Sequence, residues 1–228
     1  MGYRTEGRDV DGVGSVFEQL TPRQDVLVGE LTESRFAASL EEVVTGSAPD
    51  AYGIADQFFA ATYPSGGLRT LLNEALGRLG GAKPDGSSVV RLETNLGGGK
   101  THNLIALFHA AQGRLSPERA GEFMDPALLP QRPVDQSAVF VGSSSGAQSL
   151  PEVAGVTPRT VWGSLALQIG GVEGYALVRA DDEALTAPGS DALKRLFGDG
   201  PTVATFPRPA GRLVVVWPGP AVGRRLAG

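Results

Sequence analysis

The run Asn95-Leu96-Gly97-Gly98-Gly99-Lys100-Thr101 carries the residue types and spacing best suited to chemistry in this chain. Three consecutive glycines let the backbone curl without Cβ clashes, so several N–H groups can converge on one anion. A helix starting at about Lys100 adds unpaired N–H groups and the positive end of its dipole to the same point. In such an arrangement Lys100 reaches the β- and γ-phosphates of a nucleotide, and the Thr101 hydroxyl ligates Mg²⁺. The expected cofactors are ATP and Mg²⁺. The residues expected to contact the nucleotide are Asn95, Leu96, Gly97, Gly98, Gly99, Lys100, Thr101 and His102, and Thr101 is the expected metal ligand. The usual pattern is glycine, four residues, then Gly-Lys-Ser/Thr. Position 94, where the first glycine belongs, holds Thr94, which alters the entry into the loop.

Other candidates are weaker. His102 lies one residue beyond the magnesium position and could approach the nucleotide or sit on the helix surface. His109, seven residues on, is too distant to share a metal with it and reads as packing. Glu93 could orient water or be a solvated strand end. Asp181-Asp182-Glu183 follows a strand-like Gly174–Val178, although adjacent acids usually form a solvated loop. Tyr63 reads as packing and Arg69 as a helix-surface cation.

These residues need elements to hold them. Val89-Val90-Arg91-Leu92 is apolar enough for a strand entering the loop. Lys100 to Gln112 is an amphipathic helix with Leu104, Ile105, Leu107, Phe108 and Ala111 inward. Upstream, Ser34 could cap a helix ending near Gly46, and Ile54 to Tyr63 forms a second. Leu68 to Leu79 forms a third, with Leu68, Leu71, Leu72, Ala75, Leu76 and Leu79 on one face. Downstream, Ala138 to Gly142 reads as a buried strand, a helix starts at Thr157-Pro158 and ends at Gly170-Gly171, and Asp191 to Phe197 is a last short helix. Strands alternating with helices predict a parallel α/β sheet of the P-loop NTPase type with flanking helices and an N-terminal helical segment. The expected division is a flexible 1–14, a helical 15–85, a partial nucleotide-binding core at 86–200 and an atypical tail at 201–228. From Gly200 onward there is no Asp, Glu or Lys, and Pro207, Pro209, Pro218 and Pro220 leave room for one short strand, Leu213 to Trp217.

Composition narrows the classes. The chain has 228 residues, 41% of them hydrophobic and 20% charged, as in ordinary globular domains. A net charge of −5 argues against a general nucleic-acid-binding surface. There is no cysteine for disulfides or thiolate metal sites, and two histidines do not make a zinc site. Met1 to Thr5 lacks a signal-peptide core, no run is long enough to span a bilayer, and a cytoplasmic location is expected.

Three segments together resemble a bacterial family of large predicted P-loop ATPases. They are Phe17–Glu42 with its Thr21-Pro22-Arg23, Phe58-Phe59-Ala60-Ala61-Thr62-Tyr63-Pro64-Ser65-Gly66-Gly67-Leu68-Arg69, and Thr94–His109. The family is catalogued as domain of unknown function four-nine-nine and is often labelled anti-phage-associated. The resemblance spans about residues 15 to 200. It implies an ATP-binding protein that is much longer in the family and is encoded beside DNA methylases and helicases of defence systems, which are the implied partners; it implies too a functional role for Tyr63 and Arg69 that their residue types alone do not. It also implies an apolar strand ending in Asp-Glu soon after Asp199, to hold Mg²⁺ and polarise water. Here Val214-Val215-Val216 runs into Trp217-Pro218 without a carboxylate. The chain therefore reads as a truncated or frameshifted N-terminal portion of an ATPase, with a loosely packed tail and an exposed sheet edge beside Val139 to Val141. The alternative is a non-hydrolysing nucleotide-binding or interaction module. A GTPase is disfavoured by the absence of an Asn/Thr-Lys-x-Asp tetrad.

Overall fold

The computed structural model describes residues 21, 27–28, 38–93, 98–134, 136–139, 152, 154–198, 200–208 and 211–218, with backbone alone at 206–208 and 211–213. The chain divides into two units, Met1–Ala37 and Ala38–Gly228. Of the first, only Thr21, Leu27 and Val28 are described. Ser34 and the 1–14 segment lie outside the described residues, as do Thr94 to Gly97 of the glycine loop.

In the second unit the elements run α1 (Leu40–Thr45), α2 (Asp50–Gly53), α3 (Ala55–Ala60), α4 (Gly66–Leu79), β1 (Val89–Leu92), α5 (Lys100–Ala111), α6 (Pro117–Phe123) and β2 (Gln136–Val139). Then come α7 (Val161–Ala176), α8 (Arg179–Glu183), α9 (Ser190–Phe197), β3 (Thr202–Arg208) and β4 (Gly211–Trp217). Ser39 caps α1 and Ser65 caps α4 by accepting from backbone N–H groups three residues on. All six positions expected on the apolar face of α4 are buried. In α7 the expected stop is a kink at Gly171, whose backbone (φ 58°, ψ −149°) leaves the helical region before one further turn.

The four strands form one sheet in the order β1-β4-β3-β2. β1 pairs antiparallel with β4, β4 antiparallel with β3, and β3 parallel with β2. The parallel sheet expected from the alternation of elements is thus corrected to a mixed, mostly antiparallel one. β1, β2 and β3 share one direction, and β4, returning from β3 in a hairpin, lies between β1 and β3 against it. Helices cover both faces. One core joins α1, α3, α4, α5 and α6 to Leu92, Val203, Val214 and Val216. The other joins α7, α9 and Val178 to Ala138 and Ala204, with Val215 against it. Consecutive strand residues point to opposite faces. The uninterrupted Val214-Val215-Val216 therefore suits a strand buried on both sides.

The expectation of a loosely packed tail is overturned over residues 202–217. Val203, Ala204, Val214 and Val216 are at most 2% exposed. The prolines did not prevent two strands because β2 pairs only with Thr202–Thr205. Pro207 lies past that ladder, where a missing N–H is tolerated. Residues 219–228 lie outside the described residues. β2 is an edge strand, as expected beside Val139, and there the Val139 N–H donates to Gln168 Oε1 at 2.8 Å.

His109 sits in the first core with no exposed surface, as packing requires. Its Nε2 is 2.7 Å from the Tyr52 carbonyl. A carbonyl only accepts, so Nε2 carries the proton, and Nδ1 is buried without a partner among the described residues. No helix among the described residues is long and apolar enough to cross a membrane.

Two predictions follow from this core. A chain ending at residue 200 lacks β3 and β4 and leaves β1 without a bonded strand among the described residues. Urea unfolding followed by circular dichroism should show a cooperative transition for the full chain and none for the shortened one; equal midpoints would mean that the sheet does not need the tail. Burial, and secondarily the Arg114 cation, hold the His109 pKa below its ordinary 6.5 despite the opposing bond to Tyr52. The unfolded chain then binds more protons than the folded one, so this stability is complete above 6.5 and falls as pH drops below it. Melting temperatures from pH 8 to 5 should decline below 6.5, with a smaller decline in His109→Gln.

Candidate functional site

β1 ends at Leu92, and α5 begins at Lys100. The described part of the loop between them is Gly98 and Gly99, both exposed. Gly99 is the N-cap of α5 in the left-handed region (φ 73°, ψ 16°). A side chain there would be strained by about 1–2 kcal/mol, so the third glycine is needed by the backbone itself. Gly99 provides no side-chain cap, while its carbonyl accepts the first helical bond from the Asn103 N–H at 2.9 Å. The first N–H groups of a helix have no intrahelical acceptors. Those of Lys100, Thr101 and His102 therefore face the loop end at the positive pole of a 12-residue helix. Lys100 and Thr101 are half-buried on this first turn. The structure thus brings Gly98, Gly99, Lys100 and Thr101 together at one helix start. Asn95, Leu96 and Gly97 lie outside the described residues.

His102 is half-buried, and its ring turns to the segment after α3. Thr62 Oγ1 donates to the Phe58 carbonyl at 2.6 Å, which uses its only hydrogen. It accordingly accepts from His102 Nε2 at 2.9 Å. The Phe58 ring lies 4.5 Å from the imidazole, centre to centre, and burial lowers the His102 pKa. A neutral His102 thus ties the first turn of α5 to Thr62, 40 residues earlier. The helix-surface placement does not hold.

Tyr63, next to Thr62, is 84% exposed, which overturns the expectation that it packs. Arg69 is an exposed cation as expected, with its Nε donating to the Pro64 carbonyl at 3.2 Å.

Within the acidic triplet Asp182 has a different role from either expected one, while Glu183 is exposed as a solvated acid would be. The Gly174–Val178 stretch is the end of α7 and a turn rather than a strand, and Asp181 to Glu183 belong to α8. Asp182 has no exposed surface. Its carboxylate accepts from the Thr160 N–H at 2.8 Å, the Arg159 N–H at 2.9 Å, Tyr175 Oη at 2.9 Å and the Thr160 hydroxyl. Burial alone would raise its pKa. The bonds from Thr160, Arg159 and Tyr175 outweigh that and hold it below the usual carboxylate range. Thr160 is the N-cap of α7, so the Asp182 anion sits where the dipole of that helix favours it. Gly163 makes room for it: a Cβ there would lie 2.4 Å from Asp182 Oδ1. These four acceptor bonds make Asp182 a structural group of the second core, and its contacts from 22 residues away had no local signal.

Among the described residues no group of histidine and acidic side chains could hold a metal ion by itself. β4, the strand paired with β1, and β3 beyond it also carry no acid: β4 reads Gly-Arg-Leu-Val-Val-Val-Trp and β3 Thr-Val-Ala-Thr-Phe-Pro-Arg. Glu93, just after β1, is exposed.

Neither a curated protein nor a solved structure matches the chain. A family does: residues 16–125, which include α4, β1, the glycine loop, α5 and α6, match the DUF499 N-terminal domain, and the match supports that family for this part of the chain.

Proposed function

We propose that the loop between β1 and α5 binds ATP with Mg²⁺. The observation that carries this reading is the left-handed Gly99 opening directly onto the start of α5, with Lys100 and Thr101 as its first two residues. Converging backbone amides, a helix dipole and a lysine are the elements with which proteins hold triphosphates. Asn95, Leu96 and Gly97 would complete the cradle. Thr101 would offer one oxygen to Mg²⁺, whose octahedral shell is usually filled largely by phosphates and water. The metal would neutralise charge on the β- and γ-phosphates. His102 contributes by holding the helix start in place through Thr62, rather than by touching the nucleotide.

Hydrolysis needs more than binding. Phosphoryl transfer is catalysed by positioning and electrostatics, including a carboxylate for the metal and a group that orients water. Neither β4 nor β3 supplies one, which favours a chain that binds ATP and turns it over very slowly. Its place in a longer ATPase of a DNA-modifying or phage-defence system, beside methylase or helicase partners, is the setting suggested by the family resemblance. No other observation favours a partner class.

Calorimetry with Mg·ATP on the intact chain and on Lys100→Ala tests the site. The variant should bind roughly ten- to a hundredfold more weakly, the effect of losing one charged contact of about 1.5–3 kcal/mol. Equal affinities would remove Lys100 from the site. Phosphate release by the same protein should be close to the uncatalysed background, and ordinary turnover abolished by Lys100→Ala would assign Glu93 or another acid the missing role.

A further inference from the structure

Tyr63 is a large aromatic residue left in solvent on a turn that is held at both ends. Its own carbonyl accepts from the Ser65 N–H at 2.8 Å, and Ser65 in turn caps α4. Pro64, which follows it, accepts from Arg69. On the other side Thr62 is only 7% exposed and is bonded both to the Phe58 carbonyl and to His102. The backbone that carries the ring is thus preorganised, while the ring is 84% exposed. Leaving that much apolar surface in water on a rigid support has no use in the packing of the domain.

The Thr62–His102 bond gives the location its meaning. His102 is the third residue of α5, and Lys100 and Thr101 are the first two. Tyr63 is therefore one residue away from an atom bonded to the turn that would hold the phosphates. A nucleotide anchored there by its phosphates has one further large group to place, a flat base. Bases stack on exposed aromatic side chains without needing hydrogen-bond readout.

We propose that Tyr63 is the stacking platform for the nucleobase, positioned against the phosphate loop by the Thr62–His102 hydrogen bond. The proposal rests on the ATP-binding reading of the loop and adds the residue that recognises the base. Arg69, exposed in the first turn of α4 with its Nε on the Pro64 carbonyl, is a cation near that turn able to neutralise the ligand's charge.

The test compares Mg·ATP with Mg·tripolyphosphate, which has the phosphates but no base, on the full chain by calorimetry. Wild type should bind both, ATP more tightly. Tyr63→Ala should lose roughly five- to a hundredfold in ATP affinity, with tripolyphosphate binding unchanged, and Tyr63→Phe should keep most of the ATP affinity. An unchanged ATP affinity in Tyr63→Ala would overturn the stacking role and leave the phosphate loop standing. So would an equal loss for both ligands, which would make Tyr63 a support for the loop. A wild type that binds neither ligand would overturn the phosphate site and the platform together. Thermal unfolding of each variant, expected to match wild type at so exposed a position, checks that the fold is intact.

Discussion

The pairing of β1 with β4 is the interaction on which the candidate site depends. β1 is four residues long and exposes two of them, so it has little burial of its own to hold it. Its ladder to β4 joins Val89 to Val215 and Leu92 to Arg212. β4 brings Val214 and Val216 into the first core and Val215 toward the second, and β3 ties it to the parallel β2. The glycine loop leaves from the end of β1 that this ladder fixes. A segment more than 85 residues beyond the family-matched stretch therefore frames the loop contained within it.

That dependence explains what was and was not legible in the sequence. Helix α4 could be read over Leu68 to Leu79 because its apolar residues recur at helical spacing, while its first two residues, Gly66 and Gly67, and its Ser65 cap look like a break in the sequence. The start of α5 at Lys100 followed from the glycines, and Gly171 marked the break in α7. The tail misled for a physical reason. A strand covered on both faces shows no alternation, and absence of acids, together with several prolines, resembles a chain that has lost its fold. β4 also enters against the direction of β1, and a strand's direction leaves no mark on its composition. Asp182 was hidden in another way. Three neighbouring acids suggest solvent, whereas its hydrogen-bond donors come from the start of α7 and from Tyr175.

The histidines show how near structure and site lie in this domain. Both lie on α5 and both contact the Phe58 ring, at 4.5 Å for His102 and 5.5 Å for His109. His109 locks the helix to α2 through Tyr52. His102 locks its first turn to Thr62. The N-terminal helices are therefore fastened to the helix that would bear the triphosphate, at a residue next to Thr101. No residue in this linkage is chemically unusual. What matters is that the same bond which fixes the helix start also fixes the turn bearing the exposed Tyr63.

Amide hydrogen exchange of the full chain, with and without Mg·ATP, tests the central claim most directly. The account predicts slower exchange on ATP addition in peptides covering 98–104, together with β1, and no change in peptides covering Arg159 to Gly163 and Asp182. Protection that appears elsewhere while 98–104 is unaffected by saturating Mg·ATP would contradict it.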